Sequence, residues 1–469
     1  MHKRILHLSL SCVIALSLVH AEEFDADLDG FGDELSGFED ESTITQEISE
    51  DTIEEEKNYA FTGDVAFKTN YAYRTHEIDT VNYKGFNQAQ IAFYLQFDTK
   101  LSDDWKMRIS GDAFYDAIYS LRDQPYNSDV LDTYETQLRF DDVYLQGRVT
   151  QDIDLKVGRQ VVVWGKSDSI RITDVINPLD NRNPGMTDIE DLRLPTTMVK
   201  LDYYIGKWNF SGMIIPESRI LQEAAPRGEY FPVDDIFLAA VNIKPFFELK
   251  QPSVSWDNTQ YAFAANGVFS GWDLSFYGAN VYDSKWHIEG TTQANTKRVV
   301  SKIKMLGSAV NIAMGSWLVK SEIAFVDGVR YNSTQDDKSR LDFLVGVDYM
   351  GITDTVLSVE LAAKHIYDYE DQMGSLTAPK PDFVEKTEYQ TALRATRSFM
   401  NDSLNATALV SMFGASWQYG GFARVWVEYE VMNAVNANFG VVDYISGDRP
   451  FAEAIEDNDR VFADITYSF

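Results

Sequence analysis

Apolar and polar residues alternate along most of this chain with a period of two, in segments of ten or more residues. The apolar faces of three such segments are Ile91, Phe93, Leu95 and Phe97; Leu357, Val359 and Leu361; and Val425, Val427, Tyr429 and Val431. A period of two is typical of β-strands, because successive side chains point to opposite faces. Strands of soluble sandwiches are usually shorter, whereas a strand that crosses a bilayer as part of a barrel needs about 9–11 residues, apolar outward and polar inward. The alternation therefore predicts an all-β fold, a transmembrane antiparallel β-barrel over residues 58–469.

The links between these segments alternate between short and long, as the two ends of an outer-membrane barrel require. Short links are predicted near residues 102–103, 150–151, 206–207, 270–271, 315, 352, 401–402 and 433–434. Long loops are predicted near residues 75–85, 121–132, 164–195, 217–258, 284–297, 329–340, 369–386 and 447–457, with a tight link near 416–418 where a long loop was due. The count is 18 strands, with 16 as the alternative, because strand ends are read from sequence only to within a few residues. An even number returns both termini to the periplasmic side.

The last strand supports the same fold class. Its apolar face is Val461, Ala463, Ile465, Tyr467 and Phe469, and the chain ends on the phenylalanine. Aromatic residues at the last and third-last positions resemble the C-terminal recognition signal of outer-membrane barrels. We therefore assign Tyr467 and Phe469 to that signal and expect the barrel-assembly machinery and outer-membrane lipid as partners.

The first 21 residues have the pattern of a secretory signal peptide. Lys3 and Arg4 precede an apolar stretch at residues 6–19, and small residues suited to cleavage follow. About 20 apolar residues are needed to span a bilayer, so a membrane-anchoring helix is the weaker reading. The single cysteine, Cys12, lies in this leader, so the secreted protein is expected to contain neither a disulfide nor a cysteine-based metal or redox centre. The expected location is the outer membrane of a Gram-negative cell.

Residues 22–57 carry 16 acidic side chains and one basic one. Such a segment repels itself and cannot bury a core, which predicts a largely disordered periplasmic arm with a short helix within residues 43–57. Phe31 and Phe38 recur in it in similar Gly-Phe contexts. We interpret them as a docking motif for a periplasmic or inner-membrane export partner; a solvated tail with incidental phenylalanines is the alternative.

Motifs for catalysis or cofactor binding are scarce. The net charge of −32 argues against a nucleic-acid binder, which needs clustered basic residues. Beyond the leader the only histidines are His76, His287 and His365, and they lack the spacing of zinc proteases or nucleophile elbows. Residues 25–30 open like a calcium loop, but Ser36 stands where such loops place a bidentate glutamate. We predict no enzyme, no cofactor and no metal site; the alternative is an outer-membrane lipase whose base is His287 or His365.

Charged residues fall on the predicted inward faces of several strands. They are Lys320, Glu322, Glu360, Lys364, Glu388, Arg394, Arg424, Glu428 and Glu430. Charges inside a barrel either line water or pair across a plugged lumen. Because both signs are present, a strongly ion-selective pore is not indicated, and part of the set could simply hold the wall together.

Residues 158–178 form the densest constellation of the chain. A strand ends at Trp164, and an amphipathic segment follows until Asn177 and Pro178, where proline disfavours helical geometry in the residue before it. The apolar members of this segment are Ile170, Ile172, Val175 and Ile176, and its charged members are Lys166, Asp168, Arg171 and Asp174. It is too apolar for a solvated outer loop, so we predict that it folds into the barrel mouth and constricts the lumen over residues 164–195.

Arg159 precedes this segment and poses a problem of orientation. Strict alternation from Ile153, Leu155 and Val157 would point Arg159 at lipid. The sequence leaves two solutions open: a bulge near Gly158, or an arginine that reaches the outer membrane interface.

The run GRQVVVWGKSDSIRITDVINPLD resembles the signature of an uncharacterised family of Gram-negative outer-membrane barrels, classed as a domain of unknown function. The shared pattern is GRQ-x-x-x-WG followed by D-x-x-NP, and the matching residues are Arg159, Trp164, Lys166, Asp168, Asp174, Asn177 and Pro178. Genes of that family commonly lie beside exporters of lipids or other hydrophobic compounds. The resemblance thus implies passage of an apolar substrate across the outer membrane.

Together these observations predict a monomeric outer-membrane channel for a small hydrophobic or amphipathic substrate. A general diffusion porin is the alternative, and a structural barrel with a packed lumen is a third possibility. The sequence predicts that Trp164, Lys166, Asp168, Arg171, Asp174 and Asn177 narrow the lumen, facing the inward charges of the strands.

Overall fold

A computed structural model describes residues 58–78, 80–231, 249–290, 297–375 and 382–469. The described residues from Phe61 to Phe469 form one compact unit, the barrel. The predicted leader, the acidic arm with its helix, and the two phenylalanines at positions 31 and 38 lie outside the described residues.

Eighteen strands form one antiparallel sheet that closes on itself. In chain order, β1 to β18 are Tyr59–Ala72, Gly85–Lys100, Trp105–Asp116, Thr136–Thr150, Ile153–Gln160, Thr196–Ile205, Trp208–Ile215, Gln260–Phe269, Trp272–Tyr282, Lys302–Met314, Trp317–Val329, Lys338–Ile352, Thr355–Ile366, Thr387–Phe399, Leu404–Phe413, Gly421–Met432, Val435–Ile445 and Arg460–Ser468. Each strand pairs with its neighbours in sequence, and β1 pairs with both β2 and β18, which closes the ring. The predicted 18-strand barrel is confirmed, and the 16-strand alternative is wrong.

Short turns join the strands at one end of the barrel, and all eight lie where the sequence predicts them. The turn between β10 and β11 is built around Gly315, whose φ of +60° is a left-handed conformation that glycine adopts without strain. The turn between β14 and β15 uses Asn401 and Asp402, also at positive φ, and short polar side chains tolerate this region better than most. The long loops emerge at the opposite end, called here the long-loop end.

A few short helices and strands lie at the long-loop end. Helices α1 to α3 are Ile118–Leu121, Ser128–Tyr134 and Pro450–Ile455, and a 3₁₀ turn covers Asp371–Gly374. Short strands outside the barrel are Glu77–Ile78, Val81–Asn82, Asp180–Asn181, Gln222–Glu223, Leu249–Lys250, His287–Glu289 and Lys297–Val299. Over the described part of the chain, no helix has the length and apolarity needed to cross a membrane.

The barrel is apolar outside and polar inside, the reverse of a soluble protein. On β13, Leu361 is 54% exposed while its neighbour Glu360 is 1% exposed. The same contrast holds on β16, where Val425 faces outward and Arg424 is buried inside. An outer surface of exposed apolar side chains around a charged interior is the arrangement of a barrel that spans a bilayer.

Candidate functional site

The inward segment, defined as residues 161–195, connects β5 to β6 and lies against the inner wall of the barrel. Its buried apolar side chains are Val162, Trp164, Ile170, Ile172 and Ile176. They pack on apolar side chains of β6 to β14, such as Ala264, Met305, Ala324 and Leu344. Burying each large aliphatic side chain contributes about 1.5–3 kcal/mol. Every residue of 161–178 is described and none lies in a helix, so the isoleucines follow an irregular chain along the wall rather than a helical face.

Glu322 on β11 holds the middle of the inward segment. One carboxylate oxygen accepts the backbone N–H groups of Lys166 at 2.6 Å and Ser167 at 2.9 Å. The other accepts the N–H of Thr173 at 3.2 Å and its hydroxyl at 2.7 Å. Glu322 is 2% exposed, so these four charge-assisted hydrogen bonds replace its hydration.

Glu360 on β13 repeats this arrangement one step further along the segment. Its carboxylate accepts the hydroxyl of Ser167 at 2.7 Å and the backbone N–H groups of Asp168 at 3.0 Å and Ser169 at 3.1 Å. The two glutamates thus bind the backbone of residues 166–173 and compensate its donors where no regular secondary structure does so.

Trp164 and Gly165 fit the segment closely to the wall. The Trp164 ring stacks on Tyr277 of β9 with centroids 4.8 Å apart, and the Gly165 N–H donates to the Tyr277 hydroxyl at 3.3 Å. Gly165 has φ +91°, and a Cβ atom there would lie 2.8 Å from both carboxylate oxygens of Glu322. Glycine is therefore required here twice, by its backbone conformation and by the lack of space.

The charged side chains of this part of the segment pair with the wall. The Lys166 ammonium lies 2.6 Å from Asp273 of β9. The Lys320 ammonium is buried between Asp168 at 2.5 Å and Asp348 of β12 at 2.8 Å. The Asp168 side chain is 53% exposed, so it presents this end of the network to the lumen.

Asn177 closes the first half of the segment. Its side-chain oxygen accepts the N–H of Val162 at 2.8 Å, and its amide donates to the carbonyl of Leu194 at 2.8 Å. These bonds tie the start and the end of the inward segment together, which explains why an asparagine precedes the proline there.

Asp174 pairs with two arginines of the inward segment. Arg171 Nε lies 3.1 Å and Arg193 Nε 2.8 Å from the same carboxylate oxygen. The pKa of Arg171 is lowered, mainly by burial and also by the nearby Arg193, while Asp174 acts in the opposite direction. The triad stiffens the segment internally and makes no contact with the strands through these bonds.

The second half of the inward segment contacts a different part of the wall through Asp188. This carboxylate receives the guanidinium of Arg394 on β14 at 2.9 Å and that of Arg424 on β16. Arg424 also donates to the carbonyl of Gly185 at 3.3 Å and lies 3.9 Å above the Trp426 ring. Three charged side chains thus hold a segment that lies between two regions of the wall.

A hydrogen bond and apolar contacts lie beside the ion pairs of Asp188. The Tyr444 hydroxyl of β17 donates to the carbonyl of Pro184 at 2.7 Å. Met186 packs against two buried aromatic clusters, one around Tyr444 and one around Trp426, and Phe422 borders both.

The remaining predicted charges take other positions. Glu388 at the long-loop end of β14 binds Arg449 at 2.7 Å. Lys364 lies opposite Asp342 on one side and Glu388 on the other in the strand register. Glu428 lies on the inward face two residues beyond Trp426, within electrostatic range of both arginines that bind Asp188, and Glu430 is exposed near the short turns. Glu428 therefore lies near the contact of Asp188 with Arg394 and Arg424. Lys364, Glu388 and Glu430 lie apart from this contact.

Arg159 takes the second of its two predicted solutions. The pairing of β5 with β6 continues without a shift through Gly158, so no bulge turns the side chain inward. Arg159 instead pairs at 2.8 Å with Glu217, just beyond β7, and Glu217 also accepts the N–H of Thr197 at 2.7 Å. The arginine thus lies at the long-loop end of the wall.

Sequence reasoning missed several partners in these networks. They are Asp188, Asp273, Tyr277, Asp348 and Trp426. Asp273, Tyr277, Asp348 and Trp426 lie on inward faces, so a parity count along β9, β12 and β16 could have included them. Asp188 carried no signal, because nothing in residues 182–191 distinguishes it from other loop aspartates.

The three histidines lie apart from the inward segment's networks. Among the described residues, no group of three His, Cys, Asp or Glu side chains could hold a metal ion. His365 Nδ1 lies 2.7 Å from the Thr387 hydroxyl, and His287 lies 3.7 Å from Glu289. Burial lowers the pKa of His76 and of His287.

Tyr467 and Phe469 end the chain on the outward face, where both are exposed. The Phe469 N–H donates to Gly63 and its carbonyl accepts from Gly63, each at 2.9 Å. The C-terminal residue is thus paired with β1 at the closing seam of the barrel.

Comparisons with known proteins give the following likenesses. A family model described as "Protein of unknown function (DUF1302)" matches residues 42–469. No curated protein matches the chain. OccAB3 of Acinetobacter baumannii has 10% identity and a TM-score of 0.51, covering 87% of this chain and 99% of that one. The outer membrane protein OpdK of Pseudomonas aeruginosa has 12% identity and a TM-score of 0.47 (87% and 99%), and OmpF of Salmonella typhi has 10% and 0.42 (88% and 97%). The fold is that of an outer-membrane β-barrel.

Proposed function

The chain belongs to the family of proteins of unknown function DUF1302, and we propose that it is an outer-membrane channel for a small hydrophobic or amphipathic molecule. Its lumen is narrowed by residues 164–195. We expect a monomer delivered to the outer membrane through its signal peptide, and we propose neither an enzymatic activity nor a cofactor.

One observation carries this proposal: the inward segment is bound at two separate regions of the wall. The polar side chains that hold its first half lie on β9 to β13, whereas its second half pairs with Arg139 on β4 and with Arg394 and Arg424 on β14 and β16. A chain that passes from one region of the wall to another inside a barrel reduces the open cross-section. We therefore expect the passage left beside it to select among solutes, unlike that of a general diffusion porin.

The side chains that we propose to line the path belong to the inward segment and to the facing strands. They form the constriction and the path beside it, some as lining groups and the buried ones as supports, and they are Trp164, Lys166, Asp168, Arg171, Asp174, Asn177, Lys320, Glu322, Glu360, Lys364, Glu388, Arg394, Arg424 and Glu428. Of the charged side chains of the first half, Asp168 is the most exposed. The buried glutamates act on the path indirectly, by holding the segment.

Single-channel conductance in planar bilayers tests the channel. Leu179 pairs with Arg193, and the Asp180 N–H donates to the Leu192 carbonyl at 2.8 Å, so the two ends of residues 181–191 meet. Replacing residues 181–191 with Asn-Gly would join Asp180 to Leu192 by a two-residue hairpin turn. We expect a small conductance from the intact protein and a conductance several-fold larger, proportional to salt, from this variant.

The other outcomes identify the alternatives. A large conductance from the intact protein would identify a general diffusion porin. Conductance from neither protein, while both show the heat-modifiable electrophoretic mobility of a folded barrel, would identify a structural barrel with a packed lumen.

We further propose that the acidic arm docks a periplasmic or inner-membrane export partner through Phe31 and Phe38, and that Tyr467 and Phe469 recruit the barrel-assembly machinery. Export of an apolar substrate needs a supplier at the periplasmic side, and the predicted arm is placed there. Deleting residues 22–57 should abolish export in cells while leaving conductance in bilayers intact. Unchanged export would contradict the docking role.

A further inference from the structure

We propose that Arg394, Arg424 and the aromatic surface around Trp426 form a binding site for the carboxylate of an amphipathic monocarboxylic acid, and that Met186 and Asp188 occupy this site as an internal substitute. The inference deepens the proposed channel function and rests on it, since the ligand is taken to be the transported molecule.

The polar half of the site is made of two convergent arginines. Arg394 and Arg424 both reach the carboxylate of Asp188, and paired guanidinium groups are the usual protein partners of a carboxylate. Arg424 is 4% exposed, and its guanidinium also contacts the Gly185 carbonyl and the Trp426 ring. Its Nε atom is buried without a hydrogen-bond partner. The ion-pair partner of this buried arginine, Asp188, comes from a loop, and its Nε donor is unused. Such an arginine can bind the carboxylate of a ligand instead.

The apolar half of the site lies directly beside the arginines. Trp426 is stacked under Arg424, and Phe422 and Tyr444 continue the aromatic surface. The Met186 side chain packs on this surface two residues before Asp188. An apolar group followed at short distance by a carboxylate is the chemical outline of an amphipathic acid, with the methionine in place of its tail.

The charges around the site limit the ligand to one carboxylate. Glu428 lies in electrostatic range of Arg394, Arg424 and Asp464. Exchange of the Asp188 carboxylate for that of a ligand leaves the local charge unchanged and so avoids a buried uncompensated ion. A second carboxylate on the ligand would face Glu428 without a further cation, which disfavours dicarboxylic acids.

Binding of the ligand would also free residues 186–188 from β14 and β16, because Asp188 forms their ion pairs with these strands. Asp180, earlier in the second half, stays paired with Arg139 of β4 at 3.6 Å. The same exchange would therefore couple occupancy of the site to widening of the path. The first half, held by Glu322 and Glu360, would stay in place.

Calorimetric titration of the full chain in lipid nanodiscs with 4-phenylbutyrate tests this site, with 4-phenylbutanol and 4-phenylbutylamine as probes of the same shape and different charge. We expect binding of the acid, and binding at least about tenfold weaker for the alcohol and the amine, since one hydrogen-bonded charge contact is lost. Phenylsuccinate should also bind at least about tenfold more weakly than the monoacid.

Variants give the sharper readout. Asp188→Asn removes the internal competitor and should tighten binding of the acid about tenfold, whereas Arg424→Gln should weaken it by at least that factor. Arg108→Gln is the matched control, because Arg108 forms a similar inward ion pair with Asp98 at 2.7 Å elsewhere in the barrel and should leave affinity unchanged. Equal binding of acid and amine, or no gain from Asp188→Asn, would overturn the proposed site.

The titration does not depend on conductance, so the two proposals can fail separately. A conducting barrel that ignores the acid refutes the site alone. A barrel that binds the acid as expected and conducts in neither form refutes the channel and leaves a binding site.

Discussion

The two halves of the inward segment are held in opposite ways. Residues 162–177 are bound by seven hydrogen bonds to the carboxylates of Glu322 and Glu360 and by buried apolar packing. Residues 184–188 are bound by one carboxylate between two arginines, by one hydrogen bond to each of the carbonyls of Pro184 and Gly185, and by apolar contacts. The first contact needs many groups to separate at once, whereas an exchange of anions removes the ionic part of the second. We therefore call the first half of the inward segment the fixed half and its second half the releasable half.

The largest effect is expected from removing one carboxylate of the fixed half. Glu322→Ala leaves four buried donors without an acceptor, and hydrogen bonds to charged groups each contribute about 1.5–3 kcal/mol. We expect the free energy of unfolding in lipid vesicles to fall by roughly 3 kcal/mol or more. Glu430→Gln, at an exposed inward position, is the control and should change little. If both variants lowered the free energy of unfolding equally, the first half of the segment would not be held by Glu322, and the two halves would not differ.

The next effect is expected at Gly165. Alanine there combines a left-handed backbone with a Cβ atom 2.8 Å from both oxygens of Glu322. We expect Gly165→Ala to cost about 2 kcal/mol in the free energy of unfolding. Gly315→Ala has the same backbone problem at φ +60° with no atom within 4 Å, so the difference between the two variants measures the fit of the segment to Glu322. No difference would show that this fit is loose.

A smaller effect on stability, with a larger one on conductance, is expected from Asp188→Asn. The amide keeps the shape and removes the charge that both arginines share, which should lower the free energy of unfolding by about 1.5 kcal/mol. Conductance should rise several-fold, because the releasable half loses its ionic contact. If conductance stays at the level of the intact protein, residues 184–188 do not limit the path.

The smallest effect concerns Glu190, in the releasable half. Burial raises its pKa, Asp191 and Asp168 raise it further, and Arg394 and Arg193 lower it. A carboxyl group whose pKa is higher in the folded state favours folding at low pH, and this contribution is lost as pH rises from the ordinary glutamate pKa of about 4.3 through the folded value.

Unfolding measured between pH 4 and pH 7 checks this sign. The intact protein should lose stability with rising pH more steeply than Glu190→Gln. Identical pH profiles, or a steeper one for the variant, would contradict burial of this carboxyl group.

Strand positions could be predicted from sequence because each depends on local alternation. The eight short turns and the inward direction of Lys320, Glu322, Glu360 and Arg424 follow from parity along single strands. The inward folding predicted for residues 164–195 followed from isoleucines that no solvated loop would carry.

The contacts between the inward segment and the wall could not be predicted from alternation along single strands. Glu322 accepts backbone groups about 150 residues away, and backbone donors leave no trace in the sequence. For the same reason the sequence does not show how this segment satisfies its backbone donors without a helix, because the buried glutamates accept those hydrogen bonds. Arg159 shows a further limit: the sequence left two solutions open, and only the pairing of β5 with β6 and the partner Glu217 beyond another strand decide between them.

Hydrogen–deuterium exchange of the intact protein in nanodiscs tests the central claim most directly, because it compares the two halves in one molecule. Amides of residues 166–169 and 173 should exchange roughly 100-fold more slowly than those of residues 184–191, since their hydrogen bonds end on buried carboxylates. Asp188→Asn should speed exchange only in the second group. Equal rates in both groups, or acceleration of both by this variant, would contradict a fixed half and a releasable half.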